Sequence, residues 1–302
     1  MSMESEAPAS EEREALERRP LGRTGWRVSE LVLGGVKWDT HGSESEAVRL
    51  IHRALELGIN AVDTAHTYGD GQSERRLGLA LEGRREGVFV STKVSDRTYD
   101  GARRQMDLSL RRLRMERVDL MFIHGLDNAD DVARLLGRDG ALRALEEYRA
   151  AGRLRFIGAS SHWHRSSLLK LMAEYPLDVV LFPAGLFNQA YGYDYLGEAL
   201  PLARRRGIGT MGMKVFAAGR VKHAASIEPY LRYSRHVGVD ALVIGSDSVA
   251  QLEQTVGILR RRPGPLTAEE ERALYPECRR ITRSWDPGEF NWVSHYLGRT
   301  AS

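Results

Sequence analysis

The sequence predicts a (β/α)₈ barrel, an α/β fold of the TIM-barrel type, from three observations. Short apolar runs alternate eight times with segments of helical periodicity, and the eight units fill about 230 residues, the size of such a barrel. Most of these runs are continuously apolar, as strands are in a parallel sheet covered on both faces. The alternative, an open doubly wound sheet, usually carries G-x-G-x-x-G after its first strand. This chain has Gly34-Gly35-Val36-Lys37-Trp38 there.

The elements follow one another with start and stop signals. Residues 1–18 are polar and Glu-rich, so we expect a disordered tail, and residues 20–29 predict a hairpin that could cap the closed bottom of the barrel. Ser43 is predicted to cap the first barrel helix and Gly58 to end it. The barrel strands are expected at residues 31–34, 59–63, 88–93, 118–124, 154–160, 179–183, 208–214 and 241–245. The barrel helices are expected at residues 43–57, 73–81, 102–114, 142–151, 166–174, 196–206, 228–236 and 249–259.

The end of the chain is treated as part of the same domain. Thr267 followed by Glu270 has the spacing of a capping box and predicts a last helix. No low-complexity linker divides the chain, so residues 19–302 are expected to form one barrel domain, with residues 263–302 as a C-terminal extension. Trp285 and Trp292 lie in an aromatic terminal segment that could line a substrate pocket at the barrel mouth, clamp the surface, or form a dimer contact.

Composition excludes several classes of protein. The chain has 302 residues, 42% of them hydrophobic and 28% charged, which is ordinary for a globular domain. The net charge of +3 is too small for a dedicated nucleic-acid binder. The single cysteine, Cys278, excludes an internal disulfide, a multi-cysteine zinc site and an iron–sulfur cluster. No apolar stretch has the roughly 20 residues of a membrane span, and the acidic N-terminus lacks a signal core, so we expect a cytoplasmic protein without a membrane partner.

Four polar residues stand where chemistry occurs in a barrel. Asp63, Lys93 and His124 end the second, third and fourth predicted strands, and Tyr68 opens a Gly-rich turn five residues after Asp63. The carboxyl ends of the strands meet at one face of the barrel. An ammonium beside a phenol favours the phenolate, an Asp keeps that ammonium charged, and a His can donate to a carbonyl oxygen. The set would supply a proton donor and a clamp for a developing alkoxide, as carbonyl reduction requires.

Several motifs together resemble the aldo-keto reductase superfamily. They are the run Val62-Asp63-Thr64-Ala65-His66-Thr67-Tyr68-Gly69-Asp70-Gly71-Gln72-Ser73-Glu74, together with Leu21-Gly22-Arg23-Thr24-Gly25, Ser91-Thr92-Lys93 and Ile157-Gly158-Ala159-Ser160. The resemblance covers roughly residues 20–260. It implies a (β/α)₈ barrel that uses NADP(H) without a metal to reduce aldehydes or ketones. By position, Tyr68 resembles the proton donor, Lys93 and Asp63 the pair that tunes it, and His124 the residue that orients the carbonyl.

The resemblance also implies where the nicotinamide end of the cofactor lies. A Ser–Asn pair after the fifth strand holds the nicotinamide amide in the family, and this chain has Ser160-Ser161 there. The family's glutamine on the sixth strand would fall near Leu181 or Phe182 in this chain, so that contact is missing. After the seventh strand, Met213 could lie on the nicotinamide ring. The pyrophosphate could be approached by a short loop and the basic residues that flank it, namely Lys214, Gly219 and Arg220.

The adenosine end leaves the choice of cofactor open. Gly245 and Ser246 open the eighth helix, and a helix N-terminus suits a phosphate. Asp247 and Gln251 stand where the family commonly has Lys or Arg, and an acidic group favours a ribose hydroxyl over a phosphate. Family habit favours NADP(H), while NAD(H) or dual use remains open. Three residues after the first strand complete the expected contacts: Gly35 and Val36 on the cofactor and Trp38 in the substrate pocket.

The leading functional hypothesis is an NAD(P)H-dependent reductase of a small-molecule aldehyde or ketone, or the reverse alcohol dehydrogenase. A cofactor-binding regulatory subunit with little turnover is the alternative, because aldo-keto barrels resemble channel β-subunits, which keep the same four residues. A metal-dependent barrel hydrolase is a third reading, which the lack of a carboxylate and histidine cluster on the strand ends disfavours. The sequence leaves the substrate and the oligomeric state undetermined.

Overall fold

The structure, a computed structural model, describes residues 15–38, 42–190, 194–223 and 226–283. The side chains of residues 220, 222, 223 and 281–283 lie outside that description, as do the predicted pocket residues Trp285 and Trp292 and the tail at 1–14. The chain begins with an antiparallel hairpin of β1 (Arg18–Pro20) and β2 (Arg27–Ser29).

Eight parallel strands close into a barrel, as predicted. They are β3 (Leu31–Gly34), β4 (Ala61–Asp63), β5 (Phe89–Val94), β6 (Val118–Ile123), β7 (Leu154–Ser160), β8 (Val179–Pro183), β9 (Gly209–Met213) and β10 (Ala241–Ile244). Each strand pairs with the next along the chain, and β10 pairs with β3 to close the barrel. All carboxyl ends therefore lie on one face, the catalytic face of such folds.

Helices cover the outside of the barrel. They are α1 (Glu44–Glu56), α2 (Gln72–Ala80), α3 (Tyr99–Leu113), α4 (Asp131–Leu136), α5 (Ala141–Ala150), α6 (Arg165–Glu174), α7 (Leu186–Ala190), α8 (Ala199–Arg206), α9 (Glu228–His236), α10 (Val249–Arg260) and α11 (Ala268–Arg283). Three 3₁₀ segments follow β3, β4 and β9, at Gly35–Trp38, Tyr68–Gly71 and Ala217–His223. Within the described residues, no helix is long and apolar enough to cross a bilayer.

Local capping explains where several helices begin. Ser43 and Glu46 form the reciprocal hydrogen bonds of a capping box at the start of α1, and Gly58 follows its end with a φ of 91°. The predicted last helix is confirmed, because Thr267 and Glu270 exchange the same pair of bonds. α3 begins at Tyr99, three residues before the predicted start, because Thr98 accepts a hydrogen bond from the Gly101 N–H.

The hairpin closes the amino-terminal end of the barrel. Leu21 and Val28 belong to the same buried cluster as Phe89 and Met211 of the barrel interior. Gly22 is needed for this packing, since its φ is 49° and a Cβ there would lie 2.2 Å from the Gly209 nitrogen. The prediction that the hairpin caps the barrel is confirmed.

The expected disorder of residues 1–18 is wrong for residues 15–18. Leu16 is buried in the apolar layer between the barrel strands and the surrounding helices, which we call the outer core. Arg18 begins β1. Glu17 forms ion pairs with Arg19 and Arg235, at 2.9 Å and 3.1 Å. These contacts reach α9, far along the chain, so the local composition of the segment gave no sign of them.

Candidate active site

The site is centred on a buried ion pair between two neighbouring strands. Asp63 ends β4 and Lys93 lies near the end of β5, and the register of the strands sets Asp63 beside Ser91. Lys93 donates from Nζ to Asp63 Oδ2 at 2.5 Å and to the Thr64 carbonyl oxygen at 2.6 Å. Ser91 donates to the other Asp63 oxygen at 2.7 Å. Both charged side chains are at most 3% exposed, so solvent does not screen their attraction.

Lys93 remains a cation in this environment. Burial opposes its charge, but the charge of Asp63, with Tyr68 next, outweighs the burial and raises the pKa of Lys93 above its ordinary value. The Lys93 nitrogen lies 5.0 Å from the centre of the Tyr68 ring. The ammonium is therefore held next to the phenol.

Tyr68 is delivered by a loop of unusual backbone geometry. It opens the 3₁₀ segment after β4, and the next three residues, Gly69, Asp70 and Gly71, have φ values of 55°, 50° and 83°. Three successive left-handed residues reverse the chain sharply, and the first and last are glycines, which adopt this conformation without a Cβ clash. The reversal presents Tyr68 to the barrel mouth and starts α2 at Gln72.

His124 faces Tyr68 as a neutral imidazole. It follows β6, and its ring lies 6.0 Å from the Tyr68 ring at an angle of 82°. Burial, with the nearby cations led by Lys93, lowers the pKa of His124 well below its usual value. A neutral imidazole can donate one hydrogen bond to a carbonyl oxygen without carrying charge. The structure thus brings together all four residues expected from the sequence.

A second histidine lies beside this group and was not predicted as a site residue. The His162 ring is 6.4 Å from that of His124, and burial, reinforced by Lys214, lowers the pKa of His162 to about 3. Asp127 holds the loop after β7 in place, because its Oδ1 accepts hydrogen bonds from the N–H groups of His162 and Trp163 at 2.8 Å and 3.0 Å. Asp127 follows His124 by three residues, but sequence spacing does not show that its carboxylate reaches the next strand's loop.

The two serines at the end of β7 form hydrogen bonds with other parts of the protein. Ser160 accepts a hydrogen bond from the Gly125 N–H and donates to the Ile123 carbonyl oxygen. Ser161 shares a hydrogen bond with Tyr195 and donates to Asp127, at 2.8 Å and 3.0 Å. Both serines are almost fully buried. In this structure, therefore, the expected nicotinamide contacts act as links between the ends of neighbouring strands.

The expected cofactor residues after β9 line the same face. Met213 ends β9, and Lys214 follows with a φ of 64°. Burial, together with the charge of Lys93, lowers the pKa of Lys214 to about 8. Gly219 lies in the 3₁₀ segment after β9 with a φ of 89°. Arg220 lies in that segment too, with its side chain outside the described residues.

A lysine that was not predicted joins these elements. Lys37 reaches from the segment after β3 and pairs with Asp247, with 3.2 Å between Nζ and Oδ1. A Cβ at Gly219 would lie 3.2 Å from Lys37 Nζ, and one at Gly245 would lie 2.7 Å from Lys37 Cγ. The two glycines therefore leave room for the lysine. Gln251 plays a capping role, since its amide oxygen accepts from the Asp247 N–H at 2.9 Å.

The loop after the first barrel strand buries Trp38. Trp38 is 1% exposed and donates from its indole to the Ser73 carbonyl oxygen at 3.3 Å, and its place in the substrate pocket stays a prediction. Its apolar ring packs in the outer core. Gly35 is buried against Trp38 and Ser73, and a side chain at this position would collide with both of them. Val36 is 45% exposed, and Ser246 is buried in the segment between β10 and α10.

Comparison with known proteins agrees with this architecture. The chain resembles the uncharacterized oxidoreductase YrpG of Bacillus subtilis, with 32% identity over 227 residues, which are 66% of each chain. It resembles pyridoxal 4-dehydrogenase of Microbacterium luteolum, with 29% identity over 68% of this chain and 72% of the relative. The matched part spans between 53% and 72% of the length of such curated relatives.

A solved structure shows the same fold. The holo form of the aldo-keto reductase AKR11C1 from Bacillus halodurans superposes with a TM-score of 0.71 at 24% identity, over 88% of this chain and 96% of that one. The model of the aldo/keto reductase family matches residues 30–237, a stretch that contains the ion pair, Tyr68 and His124. With more than half of its length matched, the chain belongs to the aldo/keto reductase family.

Proposed function

We propose that this chain is an NAD(P)H-dependent oxidoreductase that reduces an aldehyde or ketone to an alcohol, or runs the reverse reaction, with Tyr68 as the proton donor. The observation that carries the proposal is the buried Asp63–Lys93 pair, whose ammonium lies 5.0 Å from the Tyr68 ring centre. Membership of the family supports the general reaction, and the geometry supports the assignment of roles.

Each residue has a distinct part in the proposed reaction. Tyr68 gives its hydroxyl proton to the oxygen of the carbonyl as that oxygen gains negative charge. Lys93 stabilises the phenolate that remains, and Asp63 keeps Lys93 charged and fixed. His124, neutral because its pKa is lowered, donates a hydrogen bond that orients the carbonyl oxygen. In the reverse direction the phenolate accepts the proton of the alcohol.

The residues at the mouth fit a nicotinamide dinucleotide. Two lysines, Lys37 and Lys214, stand near the ends of β3 and β9, and the N-terminus of α10 begins at Val249, three residues after Ser246. Gly219 and Gly245 leave room for the Lys37 side chain, because a Cβ at either position would crowd it. Cations and helix N-termini suit phosphate groups. When bound, the nicotinamide would supply the hydride for the carbonyl carbon.

The preference between NADP(H) and NAD(H) follows from the charge beside α10. Family habit supports NADP(H), whereas Asp247 repels a 2′-phosphate and can accept from a ribose hydroxyl. Lys37 partly neutralises Asp247 through their ion pair. We therefore propose that the site accepts both cofactors.

The test is a panel of carbonyl compounds and alcohols assayed with NADPH, NADH and the two oxidised cofactors. Pyridoxal belongs in the panel, because a relative is named as a pyridoxal 4-dehydrogenase. We expect a change in nicotinamide absorbance with at least one carbonyl substrate. Tight binding of the nucleotide without turnover across the panel would contradict the enzyme proposal and favour a cofactor-sensing role.

A further inference from the structure

The loop that carries Tyr68 wraps around one guanidinium. Arg112 lies in the last turn of α3, and its side chain is 13% exposed. Its Nη1 donates to the His66 carbonyl oxygen at 3.1 Å, just before Tyr68. A Cβ at Gly71, three residues after Tyr68, would lie 2.1 Å from Arg112 Cζ, so the guanidinium packs directly against that glycine. Arg112 therefore contacts the loop on both sides of Tyr68.

The close approach of two helices makes this contact possible. Gly78 of α2 packs on the end of α3, where a Cβ would lie 2.6 Å from the Leu113 carbonyl carbon. A larger residue at position 78 would push α3 away from α2. The Tyr68 loop leads directly into α2, so the same contact sets the distance between Arg112 and the loop.

Arg112 is also linked to the strand that carries Lys93, by two routes. In the first, Arg112 Nη1 lies 3.6 Å from a carboxylate oxygen of Glu74, which is fully buried, and the other Glu74 oxygen accepts from the Thr92 hydroxyl at 2.7 Å. In the second, His66, whose carbonyl oxygen accepts from Arg112, has its Nδ1 3.0 Å from the Lys93 carbonyl oxygen. Both routes end at or next to Lys93.

We propose that Arg112 is a positioning residue that holds the Tyr68 phenol at its place beside the Lys93 ammonium. The proposal rests on the proposed function, because it assigns Arg112 a part in a reaction that uses Tyr68 as proton donor. Three left-handed residues in a row make the loop dependent on outside contacts for its shape. The guanidinium supplies such contacts from α3, while Glu74 ties it to β5.

The test compares variants of Arg112 with a variant of its neighbour Arg111, which lies on the exposed side of the same helix. Arg112→Met keeps the apolar part of the side chain and removes the guanidinium. Arg112→Lys keeps the positive charge without the guanidinium. Arg111→Met is the matched control, because Arg111 is exposed. The double variant Glu74→Gln/Arg112→Met removes both buried charges. It replaces Arg112→Met in the test if the uncompensated Glu74 charge prevents that single variant from folding.

Four measurements are made on each variant: the melting temperature, the dissociation constant of the cofactor by fluorescence, kcat and KM, and the dependence of kcat on pH. Arg112→Met is expected to lower kcat by about 10- to 100-fold while cofactor affinity changes by less than about twofold, since small displacements of a reacting group have large rate effects. The limb of the pH profile set by the proton donor is expected to move to higher pH, because the phenolate is less well stabilised away from Lys93. A further variant, Arg112→Ala, removes the whole side chain, and added guanidinium is expected to restore part of its kcat.

The outcomes separate this inference from the proposed function. Loss of turnover in Tyr68→Phe together with wild-type kcat and pH profile in Arg112→Met would overturn the positioning role alone. A lower melting temperature and weaker cofactor binding with an unmoved pH limb would show a merely structural residue and overturn it as well. Full turnover in Tyr68→Phe would overturn the proposed function, and the inference with it.

Discussion

Lys93→Met is expected to destabilise the fold as well as to stop the proposed reaction. The substitution keeps most of the side-chain volume but leaves Asp63 buried, with Ser91 still donating and the cation gone. Removing one partner of a buried ion pair typically costs about 3–5 kcal/mol of the free energy of unfolding, because the remaining charge is uncompensated. For a chain of 302 residues, with an unfolding entropy of about 2.1 cal/mol/K per residue, that corresponds to a melting temperature lower by roughly 5–8 °C.

The partner substitution makes the argument quantitative. Asp63→Asn with Lys93→Met removes both charges, so the double variant is expected to be more stable than Lys93→Met alone, with a coupling energy of at least about 1 kcal/mol. Lys170→Met is the matched control, because Lys170 is exposed and is expected to change the unfolding free energy by less than about 0.5 kcal/mol. Urea denaturation followed by circular dichroism gives the unfolding free energies of Lys93→Met, Asp63→Asn, the double variant and Lys170→Met, each relative to the wild type. Single-variant costs below about 1 kcal/mol that simply add would refute the account of the ion pair.

Three further predictions concern pH, backbone strain and cofactor choice. The pKa of His162 is lowered to about 3 in the folded state, so the unfolded state binds the extra proton and stability falls as pH decreases below about 6.5. His162 contributes about 2 kcal/mol to the loss of unfolding free energy between pH 7 and pH 5, and His162→Asn should flatten the stability–pH curve over that range. Gly71→Ala should lower the free energy of unfolding by at least about 1 kcal/mol in urea denaturation, since φ is 83° and the methyl group would strike Arg112. Asp247→Ser should lower the dissociation constant for NADPH by roughly 10-fold relative to that for NADH, because a like charge near the 2′-phosphate is removed and Lys37 is freed. An unchanged pH slope, a neutral glycine substitution or an unchanged affinity ratio would each contradict the corresponding reasoning.

The arrangement of the four proposed catalytic residues could be predicted because each lies at the end of a strand or in the segment after it. Asp63, Lys93 and His124 lie at or next to the ends of β4, β5 and β6, and in a parallel barrel those ends converge whatever the loops do. Tyr68 could be placed near them because the Gly-rich turn follows β4 directly. The position of these four residues is therefore a consequence of strand order and period, which sequence patterns reveal well.

Contacts that depend on side-chain reach were not predictable in the same way. Arg112, Asp127 and Lys37 act on loops that are distant in sequence, and the residue types alone suit ordinary surface positions. α4 and α7 were not predicted because they have six and five residues, too few for a helical period to show. The burial of Trp38 was not predictable, because an aromatic residue after a strand packs equally well in the core or at a pocket.

Single-turnover kinetics of Tyr68→Phe, with a substrate identified from the panel, test the central claim most directly. The phenyl ring keeps the packing against Lys93 and His124 and removes the proton that the reaction needs. The account predicts cofactor binding within about twofold of wild type and a hydride-transfer rate lower by at least about 100-fold, the share typical of general acid catalysis. A hydride-transfer rate equal to that of the wild type, with the same pH profile, would show that Tyr68 is not the proton donor.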